Sequence, residues 1–124
     1  MARIDSCQEL EVWQKAVTLV TEVYQITRTF PREEIYGLTS QLRRAAVSIP
    51  ANIAEGWGRN TTRDYIQFLR VARGSLLELE THLVIAGNLE LIDPSAQERL
   101  GQRTQEINRM LNGLIKSVQA SARR

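Results

Sequence analysis

Several residue types are scarce in this chain of 124 residues. It has one histidine, His82, and one cysteine, Cys7, so neither an intramolecular disulfide nor a metal site built from several histidines can form. Lys15 and Lys116 are the only lysines among 16 basic residues, so the other basic residues are all arginines. Aromatic residues make up only 6% of the chain, which favours a core of Leu, Ile, Val and Ala.

Long apolar runs are missing as well. No stretch approaches the ~20 apolar residues that a helix needs to span a bilayer. Arg3 and Asp5 are not followed by an apolar run, so the N-terminus does not resemble a signal peptide. We therefore expect a cytoplasmic protein without a membrane partner.

The motifs that carry enzyme chemistry are also absent. Leu79, rather than a glutamate, stands three residues before His82, so the Glu-x-x-His motif of di-metal helix bundles is missing. The glycine-containing segment 56–59 has neither the spacing of a phosphate-binding loop nor its Lys-Ser/Thr pair. Cys7 has no evident base beside it and is a weak candidate nucleophile. The sequence therefore predicts a non-catalytic protein with no cofactor and no metal.

What the chain does have is a helical pattern. Apolar residues recur at spacings of three and four in four segments, which is the period of one helix face. Four such stripes joined by short connections predict an all-α fold, an up-down-up-down antiparallel four-helix bundle. We expect a single domain over residues 1–124, with helices at approximately 8–28, 32–57, 61–87 and 94–120.

Proline and glycine mark the ends of these segments. Pro31 opens the second helix, Gly87 closes the third, and Asp93 caps the fourth. Pro50 lies inside the second stripe, where it removes one backbone hydrogen bond. Because the stripe keeps its phase on both sides of Pro50, we expect one kinked helix, although the pattern leaves a complete break open.

The first and third segments carry more apolar residues than one stripe needs. The second row of the first segment is Val12, Leu19 and Ile26. The second row of the third segment is Ile66, Leu69, Leu77 and Val84. Either these rows widen a core-facing stripe, or they form an oligomer interface.

Charge is distributed unevenly along the chain. Residues 41–75 hold six arginines against two acids, whereas residues 76–98 hold five acids and no base. In an up-down-up-down bundle, the turn between the second and third helices lies at the same end as both termini. Basic residues then gather at that pole, either to contact a phosphate backbone or as a solvated, partly self-neutralised surface. The candidate nucleic-acid-binding residues are Arg59, Arg63, Arg70, Lys116, Arg123, Arg124 and Trp57.

Two of these features have structural alternatives. Trp57 either stacks on a base or covers the open end of the core. The arginine bias fits polyanion binding or buried ion pairs, and GC-rich coding produces it too. Arginine–carboxylate pairs that fix the helix register are the plain explanation for a second group of charged residues, because buried charges must be paired. These candidate structural ion-pair residues are Arg43, Arg44, Glu55, Glu78 and Glu80.

Five segments are distinctive when taken together. They are residues 10–16 (LEVWQKA), 30–38 (FPREEIYGL), 41–46 (QLRRAA), 48–56 (SIPANIAEG) and 74–80 (GSLLELE). With them the chain closely resembles the bacterial four-helix-bundle proteins encoded in 23S rRNA intervening sequences. The accessory variability protein of diversity-generating retroelements is similar to these proteins. The resemblance spans residues 8 to about 90, and the fourth helix matches in pattern only.

The resemblance implies a homopentamer arranged around a central channel. For the retroelement branch it also implies nucleic-acid association, in which a basic surface meets RNA and the reverse transcriptase. We therefore expect a non-catalytic homo-oligomer that binds RNA or DNA through an arginine-rich surface. The alternative is an adaptor for a polypeptide encoded nearby, which the wide apolar faces motivate. The sequence does not identify the physiological role.

Overall fold

The computed structural model describes residues 6–122, with side chains as far as residue 121. The four long helices are α1 (Glu11–Thr27), α2 (Leu38–Trp57), α3 (Thr62–Asn88) and α4 (Pro94–Ala122), and short 3₁₀ turns cover Cys7–Glu9 and Arg32–Glu34. Between residues 6 and 122 there is no β-strand. Each long helix packs against its neighbours in sequence, and α1 also packs against α4, which closes the bundle. The predicted all-α four-helix bundle is confirmed.

The core contains the aliphatic stripes that the periodicity predicted. Its largest fully buried side chains come from all four helices, namely Leu19, Val23, Leu42, Ile49, Ile53, Leu69, Leu76, Leu79, Leu100, Thr104, Ile107 and Leu111. The second apolar row of α1 belongs to this core, because Val12 and Leu19 are buried in it and Ile26 is partly buried against it. The second apolar row of α3, in contrast, is buried at one residue and exposed at others. Leu69 is fully buried, whereas Leu77 and Val84 are about half exposed.

The second helix begins later than predicted, at Leu38 rather than at residue 32. Gly37 interrupts the helix with φ −113° and ψ −116°. The carboxylate of Glu34 accepts a hydrogen bond from the Leu38 N–H at 3.1 Å, so this acid lies before the helix and caps it. Ile35 matched the helical spacing, but its side chain is 52% exposed and contributes little to the core.

Pro50 does not divide the second helix. Helical geometry continues from Leu38 to Trp57, and Pro50 is buried inside this span. The ring leaves one carbonyl of the preceding turn without its usual donor, but the apolar stripe on both sides packs into the same core. A complete break is therefore ruled out, while the kink itself stays a prediction.

The end of α3 is formed by Glu90 rather than by a glycine. Glu90 has φ 59°, and the N–H of Leu91 donates to the Ala86 carbonyl at 2.9 Å, which closes the end of the helix. Gly87 lies one turn earlier, and the side chain of Gln97 from α4 occupies the space that a Cβ would need. Gly87 therefore permits close packing of α4, and the left-handed turn is made by a non-glycine residue.

Helices α2 and α3 make the most extensive contact in the bundle. A Cβ at Gly56 would lie 2.8 Å from the Cβ of Phe68 and 3.1 Å from the Tyr65 carbonyl oxygen, so only glycine fits there. Further along the pair, the hydroxyls of Ser48 and Ser75 are hydrogen-bonded at 2.8 Å. Packing between these two helices thus explains Gly56 and Ser48 of the distinctive segment 48–56.

Candidate nucleic-acid interface

Two of the predicted nucleic-acid-binding residues, at the turn between α2 and α3, have partners within the chain. The guanidinium of Arg59 forms an ion pair with Glu55 at 2.6 Å and lies 4.6 Å from the centroid of the Phe68 ring. Trp57 is half-buried and packs against the hydrophobic core. Trp57 therefore packs against the core, and Glu55 partly balances the charge of Arg59, while nucleic-acid binding by these two residues stays a prediction.

Three other predicted residues are exposed and unpaired. Arg63 and Arg70 lie on α3 and Lys116 lies on α4, and none of them is near enough to a carboxylate of residues 6–121 to form an ion pair. The remaining two candidates, Arg123 and Arg124, lie outside the described residues.

A hydrogen bond between α3 and α4 brings these cations onto one surface. The Arg73 guanidinium donates to the Asn112 side-chain oxygen at 2.8 Å, which fixes the register of the two helices. Arg70 lies one turn from Arg73 on α3, and Lys116 lies one turn from Asn112 in the same direction along the bundle. Arg109 lies one turn from Asn112 in the opposite direction.

We call this surface the basic face. It consists of Arg63, Arg70, Arg73, Arg109 and Lys116. Arg63 and Arg70 are seven residues apart on α3, and so are Arg109 and Lys116 on α4, so each pair lies on one side of its helix, separated by about 10 Å. Sequence analysis missed Arg73 and Arg109. The repeated seven-residue spacing of arginine and lysine is the signal that would have identified Arg109.

The opposite side of α4 has a different charge pattern. There Glu22 of α1 lies between Arg99 and Arg103, with its side chain only 14% exposed. Lys15 of α1 forms an ion pair with Glu106 of α4 at 2.9 Å. Cations on the α1–α4 side are therefore paired with carboxylates of the neighbouring helix, whereas those on the α3–α4 side are not.

Glu106 is the carboxylate closest in sequence to Arg109, and Lys15 holds it. The hydrogen bond from Lys15 is the main cause that lowers the pKa of Glu106, and the charges of Lys15, Arg109 and Arg103 add smaller effects in the same direction. The same contact raises the pKa of Lys15. The pair keeps both charges at neutral pH, and the carboxylate of Glu106 is hydrogen-bonded to Lys15.

The predicted structural ion pairs between α2 and α3 do not form within the described part of the chain. Arg43 instead donates from Nε to the Thr27 hydroxyl at 2.9 Å and lies over the Tyr24 ring, 4.5 Å from its centroid. Arg44 is exposed, and within residues 6–121 it has no carboxylate partner.

The three predicted acids are not bonded to these arginines. Glu55 pairs with Arg59, which lies in the turn just after α2, and Glu78 lies 3.4 Å from the His82 ring. Glu80 lines a shallow groove beside α4. Among residues 6–121, the ion pairs that link helices are those of Glu22 and Lys15, because charge pairing depends on a register that sequence spacing does not give.

A polar groove of about 490 Å³ lies between α2 and α3, lined in part by Arg44, Ser48, Ser75 and His82. Ser48 and Ser75 bond to each other, and His82 contacts Glu78 with its Nε2 atom. Ser75 and His82 are two helical turns apart, about 10 Å, so they do not form a nucleophile–base pair. In the described part of the chain, no cluster of His, Cys, Asp and Glu side chains could hold a metal ion.

Fold and surface together define a small helical bundle with one unpaired basic face. The model of the family described as 23S rRNA-intervening sequence protein matches residues 8–113, so the chain belongs to this family. None of the curated proteins matches the sequence. No helix within residues 6–122 combines the length and apolar character needed to cross a membrane.

A solved structure with the same fold is similar to this chain along most of the length of both proteins. It is the crystal structure of a protein of unknown function from the S23 ribosomal protein family of Bacteroides thetaiotaomicron VPI-5482. The two proteins share 25% sequence identity and superpose with a TM-score of 0.77, over 85% of this chain and 98% of the other. Neither the family description nor this neighbour indicates a catalytic activity.

Proposed function

We propose that the protein is a non-catalytic, self-associating bundle that binds the phosphate backbone of nucleic acid through the basic face. The contrast between the two sides of α4 carries the proposal. Arg99 and Arg103 share Glu22, whereas Arg109 and Lys116 on the other side have no carboxylate of their own. Cations that a fold leaves unpaired on one rigid surface attract a polyanion, because releasing condensed counterions from the phosphates favours the complex.

Binding can be tested with an RNA hairpin that carries a single-stranded tail, so that both forms of backbone are offered. Fluorescence anisotropy would be measured across a range of KCl concentrations. The test variant replaces Arg63, Arg70 and Lys116 with Gln, which removes charge and keeps polar side chains. The matched control is Arg28→Gln, an exposed arginine at the opposite end of the bundle.

We expect the triple variant to bind more weakly and with a shallower salt dependence, the slope falling by about 1 for each phosphate-binding cation that is removed. Arg28→Gln should bind like the wild type. No binding at low salt, or equal weakening in the test and control variants, would refute the nucleic-acid part of the proposal.

Self-association is supported by apolar surface at the turn between α1 and α2. Tyr36 is 96% exposed and Ile35 is 52% exposed, so in an isolated chain both side chains leave apolar surface in contact with water. A second copy of the chain that covered this turn would bury the exposed apolar area. Five copies, each with net charge +2, would carry +10.

Light scattering tests the assembly directly. We expect a mass several times 14.1 kDa for the wild type and a smaller mass for Tyr36→Ser, which removes the exposed ring without touching the core. A wild-type monomer at micromolar concentration would refute self-association. Unchanged assembly of Tyr36→Ser would remove this turn from the interface.

The adaptor hypothesis has its own observation. Leu77 and Val84 are 52% and 53% exposed on α3, and Val84 borders a groove of about 200 Å³ against α4. An exposed apolar row beside a groove is typical of a protein-binding surface. A pull-down that recovers one polypeptide in stoichiometric amount, and no nucleic acid, would favour the adaptor if Leu77→Ser abolished the recovery. Recovery of nucleic acid alone would favour the basic face.

A further inference from the structure

We infer that the basic face binds double-helical nucleic acid in preference to single strands. The inference rests on the proposed function, and it is carried by two observations about this surface. The face offers charge without any aromatic ring on which bases could stack, and its cations are spread over two rigid, neighbouring helices. The ligand is defined by a feature that RNA and DNA duplexes share, namely two phosphate strands held on a stiff double helix.

The aromatic side chains all lie away from the basic face. Phe30 is buried, and Trp13, Trp57 and Tyr65 are partly buried against the core. Tyr24 and Phe68 lie beneath Arg43 and Arg59. Tyr36 is exposed, but it stands at the turn before α2, at the opposite end of the bundle from Arg63. These seven residues are all of the aromatic residues in the chain.

This arrangement removes the main advantage of a single strand. Proteins that bind single strands gain about 1–3 kcal/mol per base from stacking on aromatic rings. Without such rings on the basic face, exposed bases can stack only on the arginine guanidinium groups. Phosphate contacts then dominate, and a duplex carries about one charge per 1.7 Å of its axis, a higher density than one strand provides.

The dimensions of the face favour the same ligand. In the register set by the Arg73–Asn112 bond, Arg63 and Arg109 lie about 20 Å apart along the bundle. The two rows of cations stand on packed helices whose axes are about 8–10 Å apart. A duplex presents two phosphate strands across grooves about 6–12 Å wide in B-DNA, which is the same scale. A stiff duplex can meet both rows at once, whereas a flexible strand must lose conformational freedom to do so.

The test compares matched ligands with the full-length protein. A duplex of twenty base pairs and its separate strand, chosen to be unstructured, would be prepared both as RNA and as DNA. Binding would be followed by anisotropy between about 50 and 200 mM KCl, the range over which phosphate contacts show their salt dependence. The variants are the triple Gln substitution at Arg63, Arg70 and Lys116, and the Arg28→Gln control.

We expect the duplex to bind at least about tenfold more tightly than the strand at the lower salt, with a log–log slope near about −4.5 if all five cations contact phosphate. The triple variant should lower that slope to about −2 because two cations remain. A preference for the duplex in RNA, in DNA or in both supports the inference.

The contrary results separate the inference from the proposed function. Equal or tighter binding of the single strand would overturn the duplex preference and leave nucleic-acid binding intact. Failure to bind either ligand would overturn the proposed function itself. Single-strand binding that disappears in Trp57→Phe, while the variant keeps its helical circular dichroism, would show that bases stack at the second turn and would also overturn the inference.

Discussion

The two glycines Gly56 and Gly74 give the sharpest test of how this bundle is packed. Both lie inside helices, and both belong to the segments by which the chain resembles its family. A methyl group at Gly56 would lie 2.8 Å from the Phe68 Cβ and 3.1 Å from the Tyr65 carbonyl oxygen. A methyl group at Gly74 would meet nothing within 4 Å. The same substitution, glycine to alanine, should therefore have opposite effects at the two sites.

The magnitudes follow from two opposing contributions. Alanine in a helix interior is favoured over glycine by about 1 kcal/mol, and this gain applies at both positions. At Gly56 the obstructing atoms belong to α3's backbone and to a Cβ, neither of which can rotate away. Overpacking of this kind costs about 1–3 kcal/mol, and the rigid neighbours favour the upper half of that range. We expect Gly56→Ala to lose about 1–2 kcal/mol net and Gly74→Ala to gain up to about 1 kcal/mol.

Urea unfolding followed by circular dichroism measures both free energies of unfolding. For a chain of this size, the expected changes correspond to a melting temperature lower by about 5–10 °C for Gly56→Ala and higher by a few degrees for Gly74→Ala. The measurement should be repeated at several protein concentrations, because assembly adds to apparent stability. Stabilisation by Gly56→Ala, or equal destabilisation at both sites, would refute the close approach of α2 and α3 described above.

Three further predictions concern hydrogen bonds and backbone conformation. Thr27→Val should destabilise by about 1–2 kcal/mol in urea, because Arg43 Nε loses the hydroxyl that accepts its hydrogen bond; an unchanged midpoint would contradict this. Asp93→Ala should lower the melting temperature at neutral pH, since the Ala96 N–H and then the Ser95 hydroxyl lower the pKa of Asp93 below its ordinary value of 3.8. That stabilisation is present above pH 3.8 and disappears as the pH falls through the lowered value, so a difference that persists in strong acid would contradict it. Glu90→Gly should raise stability by about 1 kcal/mol because φ is 59° there, and a lower melting temperature would count against it.

The regular part of the fold could be predicted because it is governed by local periodicity. Leu42, Ile49 and Ile53 repeat with the helical period, and all three are fully buried. The start of α2 could not be predicted in the same way, because Ile35 continues the spacing by coincidence. What ends the pattern is the backbone at Gly37, whose ψ of −116° is not helical. An apolar period indicates which residues can share a face, but it does not indicate where the chain turns.

The candidate site was only partly predictable, because charge pairing depends on register between helices. Arg59 and Arg63 looked equivalent in sequence, yet Arg59 forms an ion pair with Glu55 one turn earlier and Arg63 has no such neighbour. Glu22 pairs with arginines on a helix distant in sequence, which no local spacing indicates. Local pairs can be read from four-residue spacing, whereas pairs across helices require the packed structure.

The arginines of this arginine-rich chain can now be grouped by the side of the helix on which each one lies. On α4, successive basic residues at 99, 103, 109 and 116 fall on two sides, because steps of four and seven residues keep a side chain near one face while a step of six rotates it by about 120°. The first two face α1 and share the single carboxylate of Glu22, and the last two face outward beside α3. Coding bias alone would place arginines on either face without regard to the carboxylates of α1. The angular position of each arginine, rather than the net charge of +2, is therefore the property that a binding experiment should vary.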